Sequence, residues 1–177
     1  MRIAVADAGP LIHLDELQCL GLLTDFSEVR VADAVWREVE IHRPMALFGT
    51  EIPWVRCKPP PSEKVDALTT LYTLHAGERE ELCLCLEFSG ALLLTDDTAA
   101  RVAAKTLAIE AHGTLGLLVR AIRRCQLSEA KVIEVLGEIP ERSTLHIRPG
   151  LFGGNHPASC RDTGTATGIN LMTSFVP

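Results

Sequence analysis

The chain has 177 residues, 47% hydrophobic and 23% charged, with a formal net charge of −6. That balance fits one globular domain with a proper core and excludes a disordered chain. The acid excess argues against loose, sequence-blind binding of nucleic acid, which rests on basic surface. A nucleic-acid enzyme remains open, because a carboxylate site would itself carry part of that charge.

No apolar run approaches the roughly 18 residues that cross a bilayer. The N-terminal apolar stretch is too short for a signal peptide and is interrupted by Asp7, so the expected location is the cytoplasm. Six cysteines stand at positions 19, 57, 83, 85, 125 and 160. Cys83 and Cys85 form the nearest pair, but residues two apart on a helix point to different faces. Without a second pair or a His cluster at ligand spacing, the cysteines read as buried reduced thiols rather than a zinc site.

Taken in order, RIAVA (2–6) is a continuous apolar run of strand type, stopped by Asp7-Ala8-Gly9-Pro10. Pro10 suits the first turn of a helix, and LIHLDELQCLGLL carries apolar residues near helical period, with Gly21 as a break point. EVRVA (28–32) is a second strand, and Asp33 reads as the cap of a helix through AVWREVEIH. PWVRC (53–57) is a strand candidate before the stop signal KPPPSE. Ser62-Glu63 opens a helix toward Tyr72, and Gly77 starts another through EREELCLCLEF. ALLLT (91–95) is the most strand-like run, after which Asp96-Asp97-Thr98 caps AARVAAKTLA. A short strand (109–112) precedes Gly113-Thr114 and the helix LGLLVRAIRRCQ. Ser128 caps a last helix through Gly137. Alternating strands and helices predict an α/β fold, a mainly parallel sheet covered on both faces. Residues 1–150 are expected to form the domain. Residues 151–177, rich in Gly, Thr, Ser and Asn without period, are expected to be an irregular tail.

The acids recur at one place in this scheme. Asp7 follows one buried strand directly, and Asp96 and Asp97 follow another. An open parallel sheet binds ligands outside the carboxyl ends of its strands, and carboxylates gathered there call for a counter-charge such as a divalent cation. Glu38 lies beside the core-facing Val35 and Val39. Glu78 and Glu81 share a helix face, with Glu80 to the side. Local explanations compete: Asp33 and Asp97 as helix caps, the three glutamates as first-turn acids facing the helix dipole, and Asp7 as an Asx-turn residue. None of these explains why the acids recur at one edge of the sheet.

The blocks VADAGPLIHL, VADAVWREVE, HAGEREELCLCLE, ALLLTDDTAARVAA and GTLGLLVRAI, in that order over about residues 3–137, resemble the PIN (PilT N-terminal) domain. They are closest to its branch with a G-E-x-E helix. The resemblance implies a Rossmann-like three-layer sandwich and three or four acids that bind Mg²⁺ or Mn²⁺ and hydrolyse RNA. Carried over by motif, these acids are Asp7, Glu38, Glu78 or Glu80 (with Glu81 as a geometric alternative), and Asp96 or Asp97. Thr95 or Thr114 would orient a carboxylate or the scissile phosphate. Many small members are similar to the toxin halves of toxin–antitoxin pairs, which implies an antitoxin partner and a homodimer.

Among the basic residues, Arg101 lies one turn after Asp97 and is the candidate contact to the RNA backbone. Arg120, Arg123 and Arg124 lie farther from that edge and suit a solvated face or a partner interface. His13, His42, His75 and His112 occur singly and read as incidental. Two other α/β enzymes with Asp after a first strand fit less well. A dehalogenase-type phosphatase needs D-x-D, where this chain has Asp7-Ala8-Gly9, and a receiver domain needs a lysine near its last strand. The alternative outside enzymes is a catalytically inactive PIN-fold binding module.

Overall fold

The apolar runs do form the strands. A computed structural model of the chain describes residues 2–48 and 51–147. The strands are β1 (Arg2–Ala6), β2 (Phe26–Ala32), β3 (Trp54–Cys57), β4 (Leu92–Leu94) and β5 (Glu110–His112). All pair in parallel in the order β3-β2-β1-β4-β5. The side chains of Ala4, Val5, Ala6, Leu92, Leu93 and Leu94 are fully buried, as a central strand covered on both faces requires. The order reverses between β1 and β4, so their carboxyl ends flank the switch point at which such sheets bind ligands.

The helices are α1 (Ala8–Glu16), α2 (Asp33–His42), α3 (Glu63–Tyr72), α4 (Ala76–Glu87), α5 (Thr98–Thr106), α6 (Thr114–Arg123) and α7 (Glu129–Arg142). α4 lies across β2, β1 and β4 and touches α2, α3 and α5; α6 packs against both α1 and α7. The result is the expected α/β sandwich. Enclosure on several sides explains why Glu81, Leu82, Cys83, Leu84 and Cys85 are all buried in one unbroken run of α4. The two cysteines occupy different faces of the helix and both are covered, as free thiols.

Several boundaries differ from the sequence reading. The first helix stops at Glu16, because Gln18 adopts a left-handed backbone (φ 55°), and a 3₁₀ turn follows over Leu20–Asp25. Asp33 is the first residue of α2, not its cap; Ala32 is the cap, and the Asp33 carboxylate accepts from Arg56 Nε at 2.6 Å. The last helix continues past Gly137 to Arg142, carrying Pro140 within it. Val132, Val135 and Ile139 lie on its buried side, and that apolar stripe holds the helix together where Pro removes one backbone donor. The tail expected at 151–177 lies outside the described residues.

Candidate metal centre

Two hydrogen bonds extend the sheet one residue beyond its strands. Asp7 N donates to Leu94 O at 2.9 Å, and Thr95 N donates to His112 O at 3.0 Å. They set Asp7 beside Thr95 at the switch point. The fully buried Thr95 hydroxyl donates to Asp7 Oδ2 at 3.0 Å and accepts from Asp97 N at 3.1 Å. One small side chain therefore fixes both acidic turns. Asp7 Oδ1 accepts from Ala8 N at 2.7 Å, and Asp97 Oδ1 accepts from Ala100 N at 2.7 Å, so each acid also caps the helix that follows it. The local explanations of these residues as a turn acid and a cap therefore hold.

Asp7, Glu38, Glu78, Asp96 and Asp97 line one cleft of about 530 Å³, together with Gly9, His75 and Gly77. Glu78 reaches it from the first turn of α4, where Oε2 accepts from His75 N at 2.6 Å. Glu38 reaches it from the exposed side of α2. Glu80 does not line it; its Oε2 accepts from Ala34 N at 3.3 Å, at the start of α2. The G-E-x-E pattern thus divides between two jobs, with Glu78 facing the cleft and Glu80 tying α4 to α2.

Glu81, the geometric alternative to Glu78 and Glu80, does not line the cleft either. It is 0% exposed, and among the described residues no N–H or hydroxyl donor reaches either of its carboxyl oxygens. Its carboxyl lies next to that of Asp7. Burial pushes its pKa well above the ordinary carboxylate range, and the charges of Asp7, Glu78 and Glu38 push the same way. Burial also raises Asp7, against the hydrogen bonds from Glu81, Ala8 N and Thr95. It raises Glu78 too, helped by the charges of Asp97 and Asp7. Burial and neighbouring acids thus disfavour charge on both Asp7 and Glu81, and no lysine or arginine is among the described residues lining the cleft.

Asp96 differs from its neighbours. Burial alone would raise its pKa, but hydrogen bonds from His13 and Thr114 outweigh this and hold it below the ordinary range. Thr114, expected as a substrate contact, is fully buried and gives both its N–H and its hydroxyl to Asp96. Arg101 is exposed on α5 and does not line the cleft. Arg120 and Arg124 bond the single carboxylate of Asp25, with Arg120 also stacked over Phe26. That pairing fixes α6 to the 3₁₀ turn and leaves the two arginines less free than a solvated face would.

The donor set fits a hard divalent cation. Carboxylate oxygens and water suit Mg²⁺ or Mn²⁺ rather than zinc, and the donorless Glu81 oxygens mark where charge compensation is missing. Among the described residues, no three acids stand close enough to chelate one ion directly. A cleft of this breadth instead suits an ion that keeps several of its waters, as Mg²⁺ does. His75, His13 and the buried role of Glu81 escaped the sequence reading; a glutamate four residues after Gly77, on the face that covers the sheet, was the available signal for Glu81.

An open parallel α/β sheet that gathers acids at its switch point is a nuclease-type fold. The family model described as PIN domain matches residues 3–152, and the chain belongs to that family. PIN domains are generally metal-dependent nucleases. No curated protein matches the chain.

Proposed function

We propose that the chain is a Mg²⁺- or Mn²⁺-dependent endoribonuclease that hydrolyses RNA phosphodiester bonds. The observation that supports this reading is a cleft lined by Asp7 and four further carboxylates, with the donorless, fully buried Glu81 next to Asp7. Asp7, Glu78, Asp96 and Asp97 would hold the cation, with Glu38 closing the outer side. A bound ion supplies water activation and neutralises charge on the leaving oxygen.

The chain's own part is placement and charge. Thr95 fixes the directions of Asp7 and Asp97. Glu81 sits next to Asp7, where burial disfavours its charged form. The N-termini of α1, α4, α5 and α6 all border the cluster, and each partial positive charge offsets acid repulsion by about 0.3–1 kcal/mol. Arg101, one turn beyond Asp97, is positioned to meet the RNA backbone outside the cleft.

Cleavage of a short fluorogenic RNA in Mg²⁺ or Mn²⁺, abolished by excess EDTA, tests the reading. Cleavage that survives excess EDTA overturns it. Mn²⁺ binding without cleavage of any RNA turns the reading to its alternative, an inactive PIN-fold protein that acts by binding. A toxin role, an antitoxin partner and a homodimer rest on the family resemblance, and co-purification with the product of an adjacent reading frame tests the first two.

A further inference from the structure

His13 stands on α1, and its ring lies against Gly9, one turn earlier. Its side chain is 13% exposed, and Nδ1 is 2.9 Å from Asp96 Oδ2. The same oxygen accepts from Thr114 Oγ1 at 2.5 Å, while Asp96 Oδ1 accepts from Thr114 N at 2.7 Å. Thr114 Oγ1 and His13 Nδ1 are 3.5 Å apart. Three donors from two separate helices thus converge on one carboxylate at the end of β4. Because Nδ1 faces a carboxylate oxygen, the ring proton belongs on Nδ1.

The surroundings leave Asp96 no other orientation. A Cβ on Gly113 would lie 2.5 Å from Asp96 Oδ1 and 3.3 Å from Thr95 O, so the carboxylate fills the space that the glycine vacates. Turning Asp96 about its side chain would break the His13 and Thr114 bonds together. Among the acids of the cleft, Asp7 and Asp97 are oriented by Thr95 and by their own helix ends, whereas Asp96 depends on a side chain brought from α1.

We propose that His13 is a positioning residue of this site: with Thr114 it locks the Asp96 carboxylate in the orientation that faces the cation, an inference that rests on the metal reading above. Groups that orient a ligand carboxylate in this way typically alter metal affinity or activity by about 10- to 100-fold. His13→Ala should therefore weaken Mn²⁺ binding by about 10- to 100-fold, lower kcat, and leave KM for RNA nearly unchanged.

The test is Mn²⁺ titration by calorimetry of the wild type and three variants, with folding checked by circular dichroism. Asn at 13 places an amide nitrogen close to the lost Nδ1, whereas Gln carries its amide one carbon farther out. His13→Asn should recover most of the Mn²⁺ affinity and His13→Gln should not. If the Ala variant fails to fold, the Asn–Gln contrast decides alone. Wild-type protein that takes up no Mn²⁺ overturns the metal reading and this inference with it. Wild-type protein that binds Mn²⁺, with unchanged affinity in folded His13→Ala or equal affinities in His13→Asn and His13→Gln, overturns the role of His13 alone.

Discussion

Two acidic places in this molecule are built on opposite terms. At Asp25, one carboxylate meets two guanidiniums, Arg120 and Arg124, and the Arg124 hydrogen bond leads in holding its pKa low. At the switch point, Asp7, Glu78 and the buried Glu81 share a region without a lysine or arginine among the residues lining the cleft, and burial raises all three. The first cluster is complete in itself and stabilises the packing of α6. The second is left short of positive charge, a cost that the proposed cation would offset.

The sharpest way to break this contrast is at Asp7. Asp7→Asn keeps the shape but removes the carboxylate next to Glu81, and RNA cleavage should fall by about 100-fold or more, the scale of several kcal/mol of lost charge stabilisation. Kinetics with saturating Mn²⁺ check this, and a rate within a few-fold of wild type would contradict it.

Next in size is the stability of the metal-free protein. Glu81→Leu replaces a buried, donorless carboxyl by an apolar side chain and should raise unfolding stability by about 1–4 kcal/mol in EDTA, read by urea denaturation. The opposite change is expected at the other cluster. Asp25→Ala strips Arg120 of its partner and should lower stability by about 1–2 kcal/mol without altering the cleavage rate.

The two regions should also answer pH with opposite signs. An acid whose pKa folding raises, such as Asp7 or Glu81, contributes stability that is complete below the unfolded value near 4 and is lost as pH rises through the raised value. Asp25, whose pKa folding lowers, contributes stability that is present above about 4 and is lost as pH falls through its lowered value. In EDTA, urea denaturation across pH 4 to 8 should show the wild type losing stability relative to Glu81→Leu as pH rises. Parallel curves for the two proteins would remove Glu81 from the account. The smallest effect belongs to Arg101→Ala, expected to weaken RNA binding by about fivefold and make its salt dependence shallower, as loss of one exposed phosphate contact does.

Much of this arrangement was legible in the sequence, because strand runs ending in Asp7 and in Asp96-Asp97 can be read from local pattern. Parallel pairing then brings together acids nearly ninety residues apart. Other features depend on contacts that no local pattern carries. Glu81 looks like one of several first-turn acids, and only the enclosure of α4 makes it the buried one. Glu80 and Glu78 are indistinguishable until α2 packs beside α4 and takes up Glu80. Thr114 suits either a carboxylate or the scissile phosphate until α6 is set against Asp96, and His13 reads as incidental until α1 and α6 meet at the same carboxylate. The left-handed turn at Gln18 and the helix that survives Pro140 are likewise tertiary outcomes, since packing there outweighs the local preference.

The central claim is that the charge missing at the switch point is supplied by a divalent cation, and thermal unfolding with and without Mn²⁺ tests it most directly. At pH 7 the wild type should melt at a distinctly higher temperature in Mn²⁺ than in EDTA, by an amount that grows with Mn²⁺ concentration as linkage requires, and Asp7→Asn should lose that response while Asp25→Ala keeps it. A wild-type melting temperature that is the same in Mn²⁺ and in EDTA would contradict the account.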